Sequence, residues 1–278
     1  MQKDITTEAC RQLDAKLICS LGSGAFKQAY LIEQGSNKFA LKIALVSGEL
    51  KARFEREISA LKECAHPSIA KIFASYLIAY QGNEYWVIVE EYLPHGTLAD
   101  VMAKHPLDVG AIRHLGNTLA EALGHLFERS FVHRDIKPAN ILFRTPSEPV
   151  LTDFGIVRML GEVSLTQDFM AQGPGTPMYA SPEQLLNEKS AIDWRTDQFG
   201  LALVLAELLL GHHAFLENPQ GNPRDAISLV ANRKPVPLRT RRLLTDEGFD
   251  CLLKALSPWS VQRYRKPDEF IRALSGEA

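Results

Sequence analysis

Asp135 and Asn140 stand five residues apart in "HRDIKPANIL", and Asp153 opens "DFG". A carboxylate that orients a hydroxyl, beside an amide and a second carboxylate able to hold Mg²⁺, suits phosphoryl transfer. The spacing lets Asp135 and Asn140 face one site from a single loop, and Gly155 lets the chain turn after Asp153. Upstream, Gly22 and Gly24 in "LGSGAFKQAY" let backbone N–H groups approach a phosphate with no Cβ in the way. Lys42 in "ALKIA" could grip phosphate oxygens, and Glu57, 15 residues on, could hold that lysine in place.

Each of these residues also has an ordinary reading. A Gly-Ser-Gly run is more often a turn than a phosphate loop. A lysine in a strand is usually solvated, and a glutamate on a charged helix face often serves only solubility. The presence of all these groups in one chain, in this order, favours the chemical reading over the ordinary one.

The elements that must position them read as follows. "AKLICSL" and "QAYLIEQ" flank the glycine loop as strands, and "KFALKIAL" alternates as a third. "ELKARFEREISALKECA" carries Leu50, Phe54, Ile58 and Leu61 at helical spacing and stops before Pro67. "SIAKIFASYLIAY" and "EYWVIVEEYL" read as a strand pair turning around Gly82–Asn83. After "PHG" the chain becomes helical, with "DVGAIRHLGNTLAEALGHLFERS" amphipathic and "DQFGLALVLAELLLG" apolar nearly all round, the mark of a central helix. "DEGFDCLLKAL" and "KPDEFIRAL" read as closing helices. The change of character near Tyr92 to Gly96 divides the chain.

The 278 residues suit two lobes, and 46% hydrophobic residues supply a large core. A net charge of −2 argues against nucleic acid as partner. Cys10, Cys19, Cys64 and Cys251 show no C-x-x-C pair, which fits free thiols in a reducing compartment better than a disulfide framework or zinc site. No signal-like start is present, and the apolar run Leu201–Leu210 is too short for a membrane segment and contains Glu207. A cytoplasmic location is therefore expected.

"HRDIKPANIL", "DFG" and "GTPMYASPEQL", in that order, resemble the eukaryotic-like (Hanks-type) serine/threonine protein kinases, and "SPEQ" resembles their bacterial branch. The resemblance covers roughly residues 17–275. It implies an α+β fold of two lobes, with an antiparallel sheet plus one helix at 17–91, a hinge at 92–96 and a mostly helical lobe at 97–275. It implies ATP and Mg²⁺ as cofactors and Ser/Thr hydroxyls of proteins as acceptors. On the matching positions, Asp135 would take the hydroxyl proton, Lys137 would neutralise the transferring phosphate, and Asn140 and Asp153 would bind Mg²⁺. Lys42 and Glu57 would form an ion pair. Leu21, Gly22, Ser23, Gly24, Ala25, Phe26 and Lys27 would cover the nucleotide. Ala29, Ala40 and Leu142 would meet adenine from above and below, and Glu91 and Leu93 would meet its edge through their backbone. His133, Phe154 and Leu61 would join a spine of stacked side chains. Glu183 would pair with Arg263, and Asp197 would anchor the catalytic loop. Arg134 would pair with a phosphate on the activation segment, with Thr166 as first candidate and Ser164 second. Thr176 would shape the substrate groove, and a transient homodimer could serve autophosphorylation.

Several positions depart from the family pattern. Lys27 stands where a third glycine is usual, either pointing to solvent or adding a phosphate or acidic-substrate contact. Ala29 replaces a usual valine, a loss of about 1 kcal/mol of apolar contact. Counting back from "GTL" puts Glu90 at the gatekeeper position behind adenine, where it could reach Lys42 and compete with Glu57 or share the cation with it. A register one residue off would put Val89 there. A nucleotide-binding pseudokinase scaffold is the alternative reading, and a small-molecule kinase a distant third. Residues 1–16 read as an N-terminal extension, either a cap or a partner contact.

Overall fold

The computed structural model describes residues 2–23, 27–46, 58, 61–154 and 177–277. By compactness the described residues fall into two units, one ending at 94 and one beginning at 95.

The first unit is built on a five-stranded antiparallel sheet. Its strands are β1 (Lys16–Ser23), β2 (Lys27–Gln34), β3 (Asn37–Val46), β4 (Ile72–Tyr80) and β5 (Asn83–Glu91). Their order across the sheet is β1-β2-β3-β5-β4. Alternation fixes which side chains share a face, because successive residues of a strand point to opposite sides. Leu41 and Ile43 of β3 join Val87 and Val89 of β5 in one apolar cluster. Ala40 and Lys42 therefore lie on the other face. The β4–β5 turn is Gln81–Gly82, with φ of 48° and 77°, and Asn83 is already paired with Tyr80. Two positive φ angles in succession suit the right-handed twist of a hairpin.

The apolar cluster is covered by helix α1 (Gln2–Gln12), which presents Ile5, Ala9 and Cys10 to Ile32, Leu41 and Val89. The opening residues are therefore a cap on the sheet. Gln34 ties the following turn down by donating from Nε2 to the Leu13 carbonyl at 2.6 Å.

The second unit is mainly helical: α2 (Leu98–Met102), α3 (Val109–Glu128), α4 (Pro182–Leu185), α5 (Trp194–Leu210), α6 (Pro223–Ala231), α7 (Leu238–Asp246), α8 (Cys251–Ala255) and α9 (Pro267–Ser275). A two-stranded hairpin, β6 (Ile141–Phe143) and β7 (Pro149–Leu151), completes it. Helix α3 buries Ile112, Leu115, Leu119, Leu123 and Leu126, a stripe at three- and four-residue spacing. Helix α5 is buried from Phe199 to Ala206 and ends at Gly211 in the left-handed conformation. At Gly200 the helix meets the loop above it so closely that an added Cβ would lie 3.1 Å from Ile136 Cβ. The segment preceding α2 is fastened to β6, since His95 N–H donates to Phe143 O and Phe143 N–H to Gly96 O. Thr97 then starts α2 through a reciprocal capping box with Asp100. No described helix is long and apolar enough to cross a membrane, and the four cysteines form no disulfide.

Candidate active site

In the second unit the loop "HRDIKPAN" is shaped from below by one carboxylate. Asp197, buried on α5, accepts from His133 N–H at 2.6 Å and from Arg134 N–H at 2.7 Å. Burial raises its carboxyl above the ordinary range, and the two N–H groups and the Arg134 charge pull it back. His133, wholly buried, packs its ring 4.7 Å from that of Phe154. Its Nε2 donates to the Thr152 carbonyl at 3.0 Å, and its Nδ1 accepts from Asp135 N–H at 3.3 Å. Gln184 Nε2 donates to the Arg134 carbonyl at 2.7 Å. Arg134 and Asp153 both hold positive φ, 67° and 63°, a strained conformation for non-glycine residues that clusters at functional sites.

This scaffold brings the chemical groups together. Lys137 Nζ donates to Asp135 Oδ2 at 2.9 Å. Asn140 Nδ2 donates to the Asp135 carbonyl at 2.8 Å and to Asp135 Oδ2 at 2.9 Å. The hairpin explains how Asp153 joins a loop 13 residues earlier. Ile141 at the start of β6 pairs with Leu151 at the end of β7, and Thr152 N–H donates to Asn140 O. The strands thus deliver Asn140 and Asp153 at the same end of the hairpin. With its amide nitrogen committed to Asp135, Asn140 keeps its amide oxygen as an acceptor. That oxygen and the Asp153 carboxylate are the hard donors Mg²⁺ prefers, and one or two protein ligands suffice when phosphate supplies the rest. The residues present fit the ion.

In the first unit Gly22 sits at φ 150°, open only to glycine without strain, and pairs with Ala29 on β2. Leu21 is exposed and Ala40 buried. Ala29 pairs with Lys42, and Ala40 with Glu90. Glu90 therefore shares a face with Lys42, while Val89 lies opposite Leu41 in the cluster under α1. Lys42 Nζ donates to Glu90 Oε2, with side chains only 11% and 8% exposed. Glu91 N–H donates to the Lys71 carbonyl at 2.9 Å, and Leu93 is buried. Leu142, half-buried, and Thr97 both belong to the second unit and are bridged to each other. Ser23 and Lys27 flank the loop as the last residue of β1 and the first of β2. Gly24, Ala25, Phe26, Glu57, Gly155, Ser164, Thr166 and Thr176 lie outside the described residues.

Beyond the loop, Arg263 grips Glu183 in a bidentate pair at 2.7 and 3.1 Å, and Thr196 Oγ1 donates to the same carboxylate at 2.9 Å. Burial alone would raise the Glu183 carboxyl; the Arg263 bonds outweigh it and hold it below the usual value. Two further contacts escaped sequence reading. Tyr179 O–H donates to Glu207 Oε2 at 2.6 Å, and burial raises both groups. His213 Nε2 donates to the Met178 carbonyl at 2.8 Å, and burial pushes the imidazole down to about 4. Glu207 did carry a signal: a single charge inside "LALVLAELLL" needs a partner when buried.

A family model described as "Protein kinase domain" matches residues 16–246. The chain is similar to serine/threonine-protein kinase PknF of Mycobacterium tuberculosis, 31% identical over 271 residues, which cover 93% of this chain and 55% of PknF. It is also similar to serine/threonine-protein kinase pkn2 of Myxococcus xanthus, 29% identical over 233 residues, covering 80% of this chain and 27% of that protein. With max-2 of Caenorhabditis elegans, a serine/threonine-protein kinase, identity is 32% over 200 residues, 72% of this chain and 29% of max-2. The chain spans about half the length of PknF and less of the other two.

Proposed function

Given that the chain belongs to the protein kinase family, we propose that it transfers the γ-phosphoryl group of ATP to serine and threonine hydroxyls of proteins. The observation that carries this reading is the cluster of Asp135, Lys137 and Asn140, joined at one Asp135 oxygen and held from below by Asp197. Asp135 accepts the proton of the attacking hydroxyl. Lys137, tied to that carboxylate, sets a positive charge where the transferring phosphoryl group gathers negative charge. Asn140 and Asp153 would hold Mg²⁺, which when bound neutralises charge on phosphate oxygens. Lys42 grips phosphate from the strand β3, and the glycines at 22 and 24 admit phosphate to backbone N–H groups. Leu93 and Glu91 offer backbone groups to adenine. Thr166, then Ser164, are the autophosphorylation candidates, with Arg134 as the phosphate's partner and a transient homodimer as the route. The net charge of −2 favours protein over nucleic acid as the acceptor, and four cysteines without a disulfide suit a reducing, cytoplasmic compartment.

The test is incubation of the purified protein with Mg²⁺ and ATP and a generic acceptor protein, followed by mass spectrometry, beside Asp153→Ala. Phosphoserine or phosphothreonine in the wild type alone is the expected result. ATP binding with no phosphate on the chain or the acceptor would turn the reading towards a nucleotide-binding scaffold.

A further inference from the structure

Lys42 and Glu90 form a buried ion pair across two strands of one sheet. Register produces it. Ala40 faces Glu90 and Lys42 faces Ile88, so the lysine reaches back diagonally to a carboxylate on its own side. The pair is built entirely within the sheet, on elements held by continuous β3–β5 pairing. Both side chains are buried, so the Glu90 carboxylate acts on the Lys42 charge with little screening by water.

We propose that Glu90 is a positioning residue that sets nucleotide affinity by holding the phosphate-gripping lysine in the empty protein. This rests on the reading of Lys42 as the phosphate ligand. A carboxylate and a phosphate are both anions, and they compete for one ammonium group. Lys42 has three N–H donors, and whichever it turns to phosphate, the neighbouring Glu90 charge offsets its attraction and repels the incoming anion. The carboxylate thus works against phosphate-bearing ligands and is indifferent to a neutral nucleoside. The chain would bind a nucleoside diphosphate more weakly than the same fold with a neutral residue at 90. Its affinity would depend on the charge of that residue, not on its bulk alone.

Calorimetry with Mg·ADP and, separately, adenosine on the wild type and Glu90→Gln tests this. Glutamine keeps the shape and removes only the charge. Glu90→Gln is expected to bind Mg·ADP about tenfold more tightly, a gain of about 1.4 kcal/mol, with adenosine affinity unchanged. Its melting temperature is also expected to rise more on Mg·ADP binding than that of wild type. A purely structural role for Glu90 would move both ligands together. Mg·ADP affinity that is unchanged or weaker in the variant, with wild type binding normally, overturns the proposal and leaves the kinase reading intact. A folded wild type that binds neither ligand overturns both. Should Glu90→Gln fail to fold, Glu90→Met removes the charge with an apolar side chain, and the ratio of its Mg·ADP to adenosine affinity, set against the same ratio in wild type, gives the test.

Discussion

The role proposed for Asp135 leans on two bonds within the protein. One of its oxygens takes both Lys137 and Asn140, so the carboxylate is fixed without help from a substrate. Asp135→Asn retains a carbonyl oxygen for those donors but cannot take a proton. It should cut phosphoryl transfer by about 10²–10⁴-fold while leaving the unfolding midpoint and Mg·ADP affinity nearly unchanged; steady-state rates beside thermal melts would check it. Glu183 makes the contrasting case. Its bond to Arg263 is wholly buried, and Arg263 also donates to the carbonyls of Ser257 and Arg195. Glu183→Ala strands the guanidinium among backbone carbonyls in the interior. It should cost about 3–5 kcal/mol of folding stability, read by urea denaturation. A loss below about 1 kcal/mol, the size typical of an exposed pair, would show that the pair is not buried in solution.

At the scale of elements, legibility in the sequence follows from how local the determinant is. Strands β1 to β3 and helices α3 and α5 were legible because alternation and helical periodicity are written in consecutive residues. The pairing of Ala40 with Glu90 and of Leu41 with Val89 puts Glu90 on the face of Lys42 and Val89 on the other, because successive strand residues alternate. Contacts between residues remote in sequence were legible only through the family resemblance, as for Glu183 with Arg263, 80 residues apart; Tyr179 with Glu207, 28 apart, and His213 with Met178, 35 apart, were not. Helix α1 falls between. Its apolar face is only Ile5, Ala9 and Cys10, too narrow to identify its target without the sheet. Because Ile5 is 1% exposed against that cluster, Ile5→Ala should destabilise the fold by about 2–5 kcal/mol, the range for a buried Ile truncated to Ala. Urea titration would measure it. A change within about 0.5 kcal/mol, as for a surface site, would mean that α1 does not cap the sheet in solution.

At the scale of the whole molecule, pH reports on groups that folding takes out of water. His213 is the clearest, because both ring nitrogens have fixed roles: Nε2 donates to Met178 O, and Nδ1 accepts from Phe215 N–H at 3.3 Å. A proton on Nδ1 would face that N–H, and burial together with the nearby His212 disfavours the charge as well. The unfolded chain takes up a proton near pH 6.5, whereas the folded imidazole does so only at about 4. The stability owed to neutral His213 is therefore complete above 6.5 and lost as pH falls towards 4, at about 1.4 kcal/mol per pH unit. Buried carboxylates such as Asp197, whose folded value is raised, contribute the opposite slope, so wild type alone would mix the two. The difference between wild type and His213→Gln isolates the histidine, because the carboxylates titrate in both. Urea unfolding from pH 4.5 to 7.5 should show the gap widening in favour of wild type as pH rises and levelling off above 6.5. A gap constant across that range would mean that His213 titrates in the folded protein as it does in water, and that its link to Met178 survives protonation.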